Sequence, residues 1–121
     1  MTTVTLTKNN FDQTITTHDL VLVDFWAAWC GPCRAFGEIY QAAANKYPEV
    51  VFGKVDIEHE PELADDFQVR SIPRLMVFRG NIAVFAESGA MTMDALEKII
   101  EEAKVLDLTE LRKQVEGEHS E

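Results

Sequence analysis

The chain predicts an α/β domain in which a central mixed five-stranded sheet carries helices on both faces, in the order β-α-β-α-β-α-β-β-α. Three observations carry that expectation. Apolar runs of strand length alternate with stretches of helical period. The run from Leu20 to Trp26 is almost continuously apolar, as a strand covered on both faces must be. The last two apolar runs, Leu75-Met76-Val77-Phe78 and Ile82-Ala83-Val84-Phe85-Ala86, are separated only by Arg79-Gly80-Asn81, which makes them an antiparallel hairpin closing an otherwise alternating fold.

In chain order, Val4-Thr5-Leu6-Thr7 alternates and reads as a short strand. Asn10 is placed to cap a short helix bearing Phe11 and Ile15. After the buried strand, helical periodicity runs from Cys33 through Phe36, Ile39, Tyr40, Ala43, Ala44 and Tyr47 and stops at Pro48. Residues 50–57 form the next strand, and Pro61 suits the first turn of a helix through Leu63, Ala64 and Phe67. Thr92 or Asp94 opens the last helix of the domain, with Leu96, Ile99, Ile100 and Ala103 on its apolar face. The domain is expected to span residues 1–105, with 106–121 an acidic extension, partly helical or frayed. Asp107 and Glu110 have capping-box spacing for a further helix with Leu108, Leu111 and Val115 on one side; the alternative is a preceding helix that simply continues. Residues 117–121 read as frayed and solvated.

At 121 residues the chain is long enough for one core without metal or disulfide support. A net charge of −10 and no basic patch argue against nucleic acid or an anionic membrane as partner. No apolar run approaches the roughly 18 residues of a membrane span, and no basic segment followed by an apolar stretch opens the sequence. The expected setting is cytoplasmic and reducing, where a lone cysteine pair is catalytic or metal-binding more often than a structural staple. His18, His59 and His119 have no ligand spacing with the cysteines, so no metal is expected. A monomer is the simplest expectation.

The chemistry centres on Trp29-Cys30-Gly31-Pro32-Cys33, a turn between a strand and a helix. Cysteines three apart on a first helical turn share a face, with Cα atoms within the roughly 4.4–6.8 Å that a disulfide spans. Cys30, at the helix start, is favoured as the thiolate nucleophile, and Cys33, one turn in, as the resolving thiol. Pro32 fits an early helical position, where its missing N–H costs nothing. Asp24, a carboxylate inside an apolar strand, shares a face with Trp26 by alternation; burial would raise its pKa and suit it to accept the Cys33 proton. Lys54, within another buried-looking strand, is its candidate neighbour. Pro73, directly before a strand, is a candidate cis proline, although trans is the commoner state. Gly89 either admits a partner's backbone or is an ordinary turn glycine. A zinc half-site, a redox-inert binding module and an oxidase or isomerase are the competing readings of these residues.

Val23-Asp24-Phe25-Trp26-Ala27, Trp29-Cys30-Gly31-Pro32-Cys33, Lys54-Val55-Asp56, Ile72-Pro73 and Gly89-Ala90, in that order, resemble the thioredoxin family from about Val4 to Ala103. The resemblance implies a protein-disulfide reductase and electron carrier with an exposed nucleophile at Cys30, a resolving Cys33, a buried proton acceptor at Asp24 modulated by Lys54, and a cis Pro73. It implies that the Ile72 backbone pairs with an extended substrate segment. Trp29, Gly31, Pro32, Ile72, Pro73, Gly89 and Ala90 would form the flat apolar contact surface. The implied partners are disulfide-containing target proteins and either an NADPH- and flavin-using thioredoxin reductase or a ferredoxin-linked one. The chain itself has no phosphate-binding glycine loop and is expected to hold no cofactor. Departures from the family pattern are Phe36-Gly37-Glu38 where a helix-kinking proline is usual, Arg74 where threonine commonly follows the cis proline, an early glycine in the turn Arg79-Gly80-Asn81, and the long C-terminal extension.

Overall fold

The computed structural model describes residues 3–119. Its central strand, β2 (Leu20–Trp26), is central because its side chains are buried on both faces. It is followed by α2 (Gly31–Lys46), β3 (Val51–Asp56), α3 (Pro61–Asp66), β4 (Arg74–Arg79), β5 (Ile82–Ser88) and α4 (Met93–Lys104), and preceded by β1 (Thr3–Thr5) and α1 (Phe11–Thr17). A last helix, α5, covers Leu108–His119. The five-stranded sheet has the order β1-β3-β2-β4-β5. β1, β3 and β2 are parallel, whereas β4 and β5 run antiparallel to their neighbours, so the sheet is mixed as the sequence predicts.

Alternation along β2 sorts the core into two layers. Leu20 and Leu22 pack with Phe36, Tyr40 and Ala43 of α2 and with Leu96 and Ile100 of α4. Val21, Val23 and Phe25 pack on the other face with Phe11 and Ile15 of α1 and Leu63 of α3. Phe67 stacks among Phe11, Phe25 and Phe78, which closes that second layer with aromatic contacts.

Local details differ from expectation in instructive ways. Asn10 does occupy the cap position of α1, but its side chain makes no cap bond to the helix. Its Oδ1 instead accepts from the Thr7 N–H at 2.7 Å, bracing the turn that precedes the helix. Thr92, not Asp94, caps α4, accepting from the Ala95 N–H at 3.2 Å. Gly80 and Asn81 both have positive φ, +57° and +70°, the conformation that a two-residue hairpin turn between twisted strands requires.

Beyond α4 the chain does not continue as one helix. The Asp107 carboxylate accepts from the N–H groups of Thr109 and Glu110 at 2.9 and 3.2 Å and starts α5 anew. Leu108, Leu111 and Val115 are its half-buried positions, and Leu108 sits against Gly80. Arg79 anchors the junction: its Nη1 donates to the carbonyls of Ala103 and Leu106 at 2.9 and 2.7 Å, and its Nε pairs with Asp19 at 3.2 Å. The helix extends to His119, into the stretch from residue 117 expected to fray, and residues 120 and 121 lie outside the described residues.

Candidate redox site

β2 delivers the chain to one end of the sheet's strands at Trp26, and the antiparallel pairing of β4 begins at that end, with Arg74 opposite Phe25. The loop before β4 therefore arrives beside the loop after β2. This brings Ile72 and Pro73 next to the cysteines although some 40 residues separate them in sequence: the Ile72 carbonyl oxygen lies 3.9 Å from Cys30 Sγ. The Ile72–Pro73 bond is cis.

Cys30 is the N-cap residue of α2 in an extended conformation, with Pro32 in the first turn. Cys30 and Cys33 are joined as a disulfide with Cα atoms 5.2 Å apart, inside the predicted range. The Cys33 N–H donates toward Cys30 Sγ at 3.2 Å. The cysteine at position 30 thus occupies the place of a capping side-chain oxygen, where unpaired amides and the helix dipole favour negative charge. Both cysteines are more covered than the resemblance implies: Cys30 keeps 5 % of its surface and Cys33 2 %. The order is as expected, but Ala27 and the partly buried Trp26, Ile57 and Ile72 close over the pair. The prominent feature is Trp29, 66 % exposed beside them.

Trp29, Cys30, Gly31, Pro32 and Ile72 line a groove of about 430 Å³ together with Ile57, Val69, Arg70 and Ser71. Those last four were not among the residues singled out by sequence; the only signal was that three of them stand immediately before Ile72-Pro73. Across the cis peptide, the Gly89 N–H donates to the Pro73 carbonyl at 2.8 Å. Gly89 has φ +111°, a conformation that side-chain-bearing residues rarely adopt, and a Cβ there would meet nothing within 4 Å. The backbone conformation there favours glycine, and the space above it is open. Ala90, which follows it, is exposed.

Asp24 lies beneath α2, on the β2 face that carries Leu20 and Leu22, and is fully buried. Neither carboxylate oxygen has a hydrogen-bond partner among the described residues. Burial pushes its pKa up to about 7, opposed in part by the positive charge of Lys54. Lys54 is its partner in the β2–β3 register. The ammonium lies over the Trp26 ring, 4.6 Å from its centroid. Lys54, Trp26 and Cys33 line a second groove of about 500 Å³ that runs along α2 past Gly37 and Glu38. α2 is one helix through Gly37, where a Cβ would come within 3.7 Å of Lys54 Nζ. Tyr40, which sequence marked only as an apolar helix position, donates its hydroxyl to the Gly53 carbonyl at 2.8 Å. Its burial and the nearby Asp24 hold its own pKa well above the usual value.

A closable cysteine pair at a helix start, facing a cis-proline loop across an apolar groove, defines a thiol–disulfide oxidoreductase. The comparisons narrow the class. The sequence profile of thioredoxin matches residues 2–102. A Streptomyces coelicolor protein provisionally named thioredoxin 2 is 55 % identical over 113 residues, covering 93 % of this chain and 84 % of its own. The thioredoxin of Alicyclobacillus acidocaldarius is 40 % identical over 96 residues, 78 % of this chain and 91 % of that one. Among solved structures, a mutant thioredoxin from Halobacterium salinarum superposes with a TM-score of 0.81 at 28 % identity, over 88 % of this chain and 94 % of that chain. The chain belongs to the thioredoxin family, and its activity is dithiol–disulfide exchange.

Proposed function

We propose that this thioredoxin reduces protein disulfides with Cys30 as nucleophile and Cys33 as resolving thiol. The observation that carries the assignment is the Cys33 N–H directed at Cys30 Sγ, at 3.2 Å, from the first turn of α2. That donor acts on Cys30 alone, and Cys30 stands nearer the positive end of the helix dipole than Cys33, so Cys30 is the sulfur that ionises more readily. The Cys30 thiolate attacks one sulfur of the substrate disulfide. A mixed disulfide forms, and the first substrate thiolate leaves and takes up a proton. Cys33 then gives its proton to Asp24 and attacks Cys30 Sγ. The Cys30–Cys33 bond closes, and the second substrate thiolate departs and is protonated. The substrate gains two electrons and two protons, and the chain loses both thiol hydrogens.

Asp24 suits the base role because it has no competing hydrogen bond and a pKa pushed up to about 7, near that of a working base at neutral pH. Lys54 keeps that value from rising further and borders the groove that Cys33 also borders. The substrate segment lies extended along the Ile72 backbone, between Trp29, Gly31 and Pro32 on one side and Pro73, Gly89 and Ala90 on the other. Among the described residues the Ile72 N–H has no backbone partner, which supports its pairing with that segment.

The oxidised pair is returned to dithiol by thioredoxin reductase or a ferredoxin-linked reductase. The same reading makes the protein a cytoplasmic, monomeric electron carrier whose chemistry resides in residues 1–105, with 106–121 an appended element. No helix of the described residues is long and apolar enough to cross a membrane.

The test is reduction of insulin disulfides by dithiothreitol with the protein or its Cys30→Ser variant. Acceleration by the wild type alone is expected. Absence of acceleration by a folded wild type would overturn the reading.

A further inference from the structure

We propose that Arg74 makes this site select substrate segments that carry a carboxylate beside their cystine, a specificity that rests on the reductase reading above. The protein as a whole is acidic, with 21 Asp and Glu against 11 Lys and Arg. Away from the disulfide four of its cations stand in ion pairs: Lys8 with Glu62, Lys46 with Glu97, Arg79 with Asp19 and Lys104 with Glu49. Around the disulfide, Arg70 and Arg74 form no ion pair among the described residues. No carboxylate lines the groove beside Cys30, and Arg70 is its one charged wall residue among those described. An excess of acid elsewhere and unpaired arginines here make the substrate face a local positive region on a negative molecule.

Arg74 is held in a particular place. It directly follows the cis Pro73 and stands opposite Ser88 in the β4–β5 register. Its Nη1 donates to Ser88 Oγ at 3.1 Å, and that hydroxyl donates to the Ser71 carbonyl at 3.2 Å. The guanidinium is thereby held at the end of edge strand β5, and the Ser88 hydroxyl ties that end to the loop that carries Ile72. Trp29 flanks the groove on the other side.

The guanidinium is poorly satisfied where it sits. Its Nε is buried with no partner among the described residues, and its only side-chain bond is to a neutral hydroxyl. A half-buried guanidinium with donors to spare gains most from a carboxylate, which its planar fork can take on two hydrogen bonds. Arg74 stands two residues beyond Ile72, just outside the groove lining, so an Asp or Glu on a substrate strand lying along Ile72, close to the attacked cysteine, would supply the missing acceptor. The commonly found threonine could not hold a carboxylate this way, because it carries no positive charge.

The experiment uses three disulfide peptides identical except for Asp, Ala or Lys beside the attacked cysteine, with the rate constant for each measured against the reduced full-length protein. The expected order is Asp over Ala over Lys, with Asp about fivefold faster than Ala at low ionic strength. The Asp/Ala ratio should collapse toward one at about 0.5 M salt. Arg74→Gln should bring the ratio to near one, and Arg74→Lys should restore part of it. Lys98→Gln, which removes the same charge from an exposed position of α4, should leave the ratio at its wild-type value. A wild-type ratio of one, or a ratio unchanged in Arg74→Gln, would overturn the proposal and reduce Arg74 to a strut between β4 and β5. Failure of the wild type on all three peptides would overturn the reductase reading instead.

Discussion

Asp24 and Lys54 stand directly opposite each other in the parallel register of β2 and β3, yet no hydrogen bond joins them. The lysine ammonium rests over Trp26, and the carboxylate is left buried and unpartnered. An arrangement of this kind works against stability, because neither partner repays the other's lost hydration. Its consequence is a carboxyl whose pKa burial pushes up to about 7.

Replacing Asp24 by Asn should therefore stabilise the protein in a pH-dependent way. The native carboxyl holds its proton up to about pH 7, whereas the unfolded one releases it near 3.8. The native state binds the extra proton between these values, so the stability contributed by this group falls as pH rises through that window and is level above it. The variant should gain little near pH 4 and on the order of 4 kcal/mol above pH 7. Urea unfolding of the oxidised proteins at the two pH values measures the difference; an equal gain at both would contradict the assigned pKa.

The same variant should slow resolution more than attack. Trapping and release of a chromophoric mixed disulfide in a stopped-flow instrument separates the two steps. Release by the wild type should accelerate as pH rises through about 7, and Asp24→Asn should lose that inflection together with at least about tenfold in rate at neutral pH. Lys54→Met should move the inflection upward, since the lysine charge is what opposes the burial of Asp24. An unchanged profile in both variants would remove Asp24 from the mechanism.

Cys33→Ser should accumulate covalent adducts with substrate proteins through Cys30, visible on non-reducing gels and reversed by dithiothreitol. Cys30→Ser should accumulate few, because Cys33 is 2 % exposed and lacks the amide that faces Cys30 Sγ. Adducts in the second variant but not the first would reverse the two roles.

Gly80 links the hairpin to the C-terminal helix. A Cβ there would meet Leu108 at 2.5 Å, and φ is +57°. Gly80→Ala should cost about 1–3 kcal/mol by strain and displacement of Leu108. A chain ending at Val105 should also melt earlier, through loss of the Leu108 contact and of the Leu106 carbonyl that Arg79 binds, while still reducing insulin. Calorimetry on both variants reads the cost; loss of insulin reduction by a folded truncated chain would give the extension a part in the activity.

Much of this molecule was legible in the sequence because the relevant signals are local. Strand β2 is marked by its apolar run, α2 by its 3.6-residue period and Pro32, and the hairpin by Gly80-Asn81. The cysteine pair needs only the first turn of one helix to bring its sulfurs together, so residues 30–33 determined the chemistry by themselves. Asp24 was conspicuous as one carboxylate in an apolar strand, and that alone required burial to raise its pKa.

What only the tertiary structure decided depends on segments far apart in the chain. Sequence placed Lys54 near Asp24, but the register that sets them opposite, and the Trp26 ring that draws the ammonium aside, arise from strand pairing. The groove walls at Ile57, Val69 and Arg70 are joined to Trp29 by the antiparallel return of β4, which no local pattern encodes. Arg74 could be read from sequence only as a charge beside a proline; its clamp on Ser88 and its unpartnered Nε required the fold. The physical reason is the same in each case: propensity and spacing act within a few residues, whereas a buried group's charge and partners are set by whatever the rest of the chain packs around it.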